Sequence, residues 1–92
     1  MNAALPAEFD LRGLRKSLGL TQAEMAERIG LGARAYFTLE QSKPDQRYIR
    51  LAQMVSLEIA IERGDAMLAH PAARKIALAF CKLAQRQIGM TD

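Results

Sequence analysis

The sequence predicts an all-α chain of about five helices, and three observations carry that expectation. Half of the 92 residues are hydrophobic but only 5% are aromatic, and a composition rich in alanine, leucine and isoleucine without β-branched runs favours helices. Apolar residues recur at three- and four-residue intervals instead of alternating. Gly19, Gly30 and Gly64 each follow an apolar-periodic stretch, where a helix would stop. The length suits one domain, read as a core over 9–57 and an extension over 58–92.

Met1 to Pro6 reads as a loosely held arm. A first helix is predicted over Phe9 to Leu18, with Leu11, Leu14 and Leu18 on one face and Gly19 at its end. Thr21-Gln22-Ala23-Glu24 fits a capping box that opens the second helix. Ala23, Met25, Ala26 and Ile29 form its apolar side, and Gly30 suits the left-handed position after its last turn. The third helix is predicted from Gly32 or Ala33 to about Gln41, with Tyr36, Leu39 and Glu40 facing inward. Ala33, Arg34, Phe37, Thr38 and Gln41 point the other way, because 33, 37 and 41 and likewise 34 and 38 are four residues apart.

Pro44 breaks a polar loop, and a long fourth helix is predicted from Gln46 to Arg63, closed by Gly64. Its two apolar stripes, one through Tyr48, Ala52, Val55 and Ile59 and one through Leu51, Met54, Leu57 or Glu58, and Ile61, predict a helix sandwiched between two partners. A single helical turn is expected at Ala66 to Ala69. Pro71 then suits the first position of a fifth helix running to Ile88, with Ala73, Ile76, Ala77, Phe80, Ala84 and Ile88 as its main stripe.

The net charge of +3 and isoelectric point near 9.4 are weakly favourable to a polyanionic partner. The basic excess is uneven: nine Lys/Arg face nine Asp/Glu up to Asp65, whereas Ala66 onward carries four basic residues against Asp92 alone. One cysteine, Cys81, excludes an intramolecular disulfide and makes a reducing cytoplasm the expected setting. No secretory signal pattern and no apolar run of about 20 residues is present, so neither export nor a membrane span is expected.

Leu20 to Lys43 therefore reads as two short helices joined by a tight glycine turn, the layout of a helix-turn-helix. The elements are a Leu-Arg-x-Leu-Arg first helix at 11–15, Gly-Leu-Thr-Gln-Ala-Glu-Met-Ala at 19–26, Ile-Gly-Leu at 29–31, and Glu40 followed by Gln-Ser-Lys. Together they resemble the lambda-repressor/Cro-like, or XRE-like, helix-turn-helix family from about Leu11 to Leu57. The resemblance implies a double-stranded-DNA-binding regulator whose third helix lies in the major groove. By position it implies that Gln22 touches a phosphate and that Ala33, Arg34 and Thr38 read base edges, with Phe37 and Gln41 on the same face. Arg34 has the fork that pairs with guanine O6 and N7, while Ala33 and Phe37 suit thymine methyls. Lys43 and Arg47 are placed to neutralise phosphates, and Arg15 and Glu40 match a structural ion pair. The plainer alternatives are solvated charge for Arg34, Lys43 and Arg47, help at a helix start for Gln22, and packing on a neighbouring subunit for Phe37.

Three residues depart from the family pattern. Gly32 replaces the usual polar cap of the third helix, Tyr36 replaces a small β-branched core residue, and Asp45 stands where a basic residue would help backbone contacts. The target sequence is therefore this chain's own. The extended fourth helix and the fifth helix read as a homodimer surface involving Ile61, Leu78, Phe80 and Leu83, the alternative being a fifth helix that folds back to finish a monomeric core. Arg74, Lys75, Lys82 and Arg86 read as a solvated face, with the phosphate backbone as the alternative. His70 and Cys81 are the only residues of their types and lack partners at metal-ligand spacing. His70 is expected as a cap or surface residue and Cys81 as a small core or interface residue. No enzyme activity, cofactor, metal or small-molecule ligand is expected. The competing function is a protein-interaction module, such as an antitoxin or adaptor, that keeps the helix-turn-helix as scaffold.

Overall fold

A computed structural model describes residues 9–89, so the expected N-terminal arm at 1–6 lies outside the described residues. The described residues are all-α, as predicted: α1 Leu11–Ser17, α2 Gln22–Ile29, α3 Ala33–Gln41, α4 Gln46–Arg63 and α5 Pro71–Gln87, with a 3₁₀ turn at Ala66–Leu68. α1 is shorter than Phe9 to Leu18. The Asp10 carboxylate accepts from the Gly13 backbone N–H at 2.9 Å, which makes Asp10 the residue before the helix. α2 opens on the expected capping box: Thr21 Oγ1 accepts from Glu24 N–H and Glu24 Oε1 accepts from Thr21 N–H. It closes on Gly30 at φ 92°, where Leu31 N–H and Gly30 N–H return to the carbonyls of Ala26 and Glu27. That double closure needs a left-handed residue, and glycine takes it without a Cβ clash.

The core is built from Leu11 and Leu18 of the first segment, Met25, Ala26 and Ile29 of α2, Tyr36 of α3, and Ala52, Val55 and Ile59 of α4. Ala23 does not join it; it is exposed, because it projects from the outer face of α2. α4 uses only its first stripe for this core. Leu51, Met54 and Ile61 of the second stripe are exposed, so the sandwich expected from sequence is filled on one side and only partly on the other.

α5 corrects the expectation more sharply. Of its predicted stripe, Ala73 and Ala84 are buried and Ala77 is half-buried, while Ile76, Phe80 and Ile88 are 69%, 58% and 68% exposed. α5 rests on α4 through alanines, and its large side chains splay to either side. Its start is fixed well. Ser56 is fully buried, donates to the Gln53 carbonyl and accepts from His70 N–H at 2.8 Å. His70 Nδ1 accepts from Ala72 N–H at 3.1 Å, so His70 caps α5 as expected. Cys81 is exposed, not in the core, because it borders the open groove between α4 and α5. No described helix is long and apolar enough to cross a membrane.

Candidate nucleic-acid interface

α3 is set in place by one buried carboxylate. Glu40 has a side chain with 0% exposure and accepts from donors on three helices. Arg15 of α1 donates through Nε to Oε2 at 2.6 Å and through Nη2 to Oε1 at 3.3 Å. Tyr36, one turn back on α3, donates its hydroxyl to Oε2 at 2.5 Å, and Gln22 at the start of α2 donates Nε2 to Oε1 at 3.0 Å. Arg15 Nη1 also donates to the Leu20 carbonyl, and Arg12 Nε stands 3.6 Å from Glu40 Oε1.

The electrostatics follow from that crowding. Burial alone would raise the Glu40 pKa, but the hydrogen bonds from Arg15, Tyr36 and Gln22 and the Arg15 charge outweigh it and hold Glu40 at about 2. Burial and then the Glu40 hydrogen bond and charge push the Tyr36 hydroxyl well above its ordinary value. The Glu40 hydrogen bond raises Arg15 in turn. The Gln22–Glu40 bond ties the start of α2 directly to α3, and Arg15 ties α1 to the same carboxylate.

The face of α3 opposite this anchor is open. Ala33, Arg34, Phe37, Thr38 and Gln41 are all exposed, as the helical spacing predicts, and Ala35 joins them. Ala33, Arg34, Phe37 and Thr38 together line one shallow concavity. Phe37 is half exposed at 50%, a large apolar ring on a surface otherwise made of small and polar groups. Among the described residues no acceptor holds the Arg34 guanidinium. The helix begins at Gly32 without a side-chain cap, as the sequence implies.

Gln22 lies at the α2 N-terminus, where a phosphate contact is expected, but one of its amide hydrogens is already committed to Glu40. Lys43 and Arg47 are exposed beyond α3. The Arg47 guanidinium lies over the Tyr48 ring at 4.9 Å, and its Nη2 is 3.8 Å from Asp45 Oδ2. Asp45 has its own local reason: its carboxylate accepts from Arg47 and Tyr48 N–H groups and starts α4. The sequence reading missed this cap, although an Asp directly after Pro44 and before an apolar-periodic run is a recognisable signal. It also missed the Arg28–Glu62 pair, whose two bonds of 2.8 and 2.9 Å tie α2 to α4 at the surface.

The four residues expected at a dimer surface are all exposed, and the structure divides them. Ile61 and Leu78 line one groove of about 400 Å³ between α4 and α5. Phe80 lines a second, of about 390 Å³, with Met54, Leu57, Ile76 and Cys81. Leu83 is exposed further along α5. Another cavity, of about 600 Å³, lies between α1, the start of α4, the 3₁₀ turn and the start of α5, away from α3. Among the described residues no group of three or more His, Cys, Asp or Glu could hold a metal ion. Compared with protein families, with curated proteins and with solved structures, the chain gave no match.

Proposed function

We propose that this protein is a sequence-specific double-stranded-DNA-binding transcription regulator that places α3 in the major groove. The observation that carries the reading is the two-sidedness of α3. Its inner face is locked by Tyr36 and the buried Glu40, while Ala33, Arg34, Phe37, Thr38 and Gln41 are presented together on the outer one. A rigid helix with a free guanidinium on its outward first turn is what base reading in the major groove requires. The α2 N-terminus, with Gln22 and its outward amides, suits a phosphate, and Lys43 and Arg47 extend the backbone contact.

We further infer a homodimer that acts as a repressor by occupying its site. The exposed apolar side chains of α4 and α5, Ile61, Leu78, Phe80 and Leu83 among them, support a second copy as the missing cover. A two-fold dimer would set its recognition helices about 34–36 Å apart and read an inverted repeat.

Selection from random duplex DNA tests the reading. A single enriched sequence is expected, with affinity that falls steeply as salt rises. Arg34→Ala should weaken binding to that sequence by about 1–3 kcal/mol and relax the preference at one base pair. No enrichment, or an Arg34→Ala variant that binds like the parent, removes the proposal. The half-exposed Phe37 favours one other reading, a protein-interaction module, whose binding would depend little on salt.

A further inference from the structure

Arg74, in the first turn of α5, is partly buried and carries a charge that no carboxylate balances. Its Nε donates to the Ala69 carbonyl at 3.0 Å and its Nη1 reaches Met67 Sδ at 3.5 Å. Among the described residues these are its partners, and no Asp or Glu oxygen comes within 4.0 Å of it. A guanidinium has five N–H donors, so most of the Arg74 fork is held in place and unused. Arg74, Met67 and Ala69 all line the cavity of about 600 Å³ on the side away from α3.

Four separate stretches of chain wall that cavity. Phe9 and Leu14 come from the α1 side, Ile49 from the start of α4, Leu68 from the 3₁₀ turn, and His70 and Arg74 from the start of α5. Phe9 lies against the His70 ring with centroids 5.5 Å apart. His70 Nδ1 accepts from Ala72 N–H, which leaves the neutral ring's hydrogen on Nε2, a donor with no acceptor among the described residues. Apolar walls with a few fixed polar groups around several hundred Å³ are the make-up of a small-molecule site. The planar guanidinium fork matches a carboxylate. Asp10 also lines the cavity, with Oδ1 committed to Gly13 N–H, and its charge disfavours a ligand with a second negative group. We propose that this cavity binds a small monocarboxylic acid with an apolar body, its carboxylate on Arg74 and its hydrocarbon against Phe9, Leu14, Ile49 and Leu68. The bound acid would brace α5 against α1 and α4. The inference goes beyond the DNA-binding reading and does not depend on it. Sequence alone predicts no ligand here, because the wall is assembled from residues as far apart as Phe9 and Arg74.

The full chain is titrated with phenylacetate and with hexanoate, an aromatic and an aliphatic acid, and followed by backbone amide NMR. At least one acid should shift the signals of residues 9–17 and 67–74 saturably below about 10 mM, the range open to so small a ligand, and raise Tm. Phenethyl alcohol and hexanol keep the apolar body without the charge, and inorganic phosphate keeps charge without the body. Each should bind about tenfold more weakly or worse. Arg74→Gln should cost the acid a similar factor, whereas Arg86→Gln, on an exposed basic residue further along α5, should cost nothing. Arg74 also holds the Ala69 carbonyl, so the comparison of acid with alcohol on the wild type decides the matter if the variant fails to fold. No saturable shift with either acid overturns the inference. So does an alcohol that binds as well as its acid, or an Arg86→Gln loss equal to that of Arg74→Gln. DNA binding is untouched by any of these results, since the duplex selection tests it separately.

Discussion

Glu40 keeps its charge although it is fully buried, because Arg15, Tyr36 and Gln22 all donate to it. Its folded pKa of about 2 lies below the ordinary 4.5. The stabilisation is therefore complete above about pH 4.5 and is lost as the pH falls toward 2. The difference corresponds to about 3 kcal/mol. Denaturant unfolding at pH 7 and at pH 2.5 should show most of that loss in the wild type. Glu40→Gln should be less stable at pH 7 and nearly flat across the window. The Arg15–Glu40 pair was legible in the sequence through the family resemblance. The shares of Tyr36 and Gln22 were not. The sequence places Tyr36 at a core position in place of a small β-branched residue, and its four-residue spacing from Glu40 puts the hydroxyl within reach of the carboxylate. The Gln22 bond joins residues 18 apart, and no local pattern announces it.

Helix ends decide the element scale. α1, α2 and α4 begin on Asp10, Thr21 and Asp45, each with a side chain accepting from the first turn, whereas α3 begins on Gly32 with none. Gly32 has extended backbone, and an added Cβ there would meet open space. Gly32→Ser should therefore raise stability by a few tenths of a kcal/mol, read as an increase of a degree or two in Tm. The α2, α3 and α4 boundaries were legible because capping box, glycine stop and Pro44 all agreed. α1 is shorter than its apolar spacing predicts, because Asp10 caps the helix instead of joining it.

At the scale of the whole molecule, the start of α5 was legible from Pro71, but its burial was not. An amphipathic stripe says that a helix wants a partner and is silent on which chain supplies it. Here the described residues cover alanines and leave Ile76, Leu78, Phe80 and Leu83 at the surface. Sedimentation should give a species of about twice the 10.2 kDa chain mass at tens of micromolar. The double variant Ile76→Ser with Phe80→Ser should return it to one chain mass with helicity retained, since both side chains are exposed. A wild type that sediments at one chain mass removes the dimer.

The attachment of α5 has a mechanical side. The helix is fastened at its first turn, through His70 to Ser56, through the His70 cap on Ala72, and through Arg74 Nε to the Ala69 carbonyl. Its 17 residues span about 25 Å. Beyond that turn only the small side chains of Ala77 and Ala84 are covered, and a tilt of about 10° at Ser56 would carry Gln87 through about 4 Å. In a dimer joined along α5, that ratio turns a small change at the pivot into a shift of more than one base pair between the two reading heads. Ser56→Ala should thus leave affinity for a single half-site unchanged and widen the range of half-site spacings that the dimer accepts, measurable on duplexes that vary only in their central spacer. One buried hydroxyl would act as the ruler of the operator.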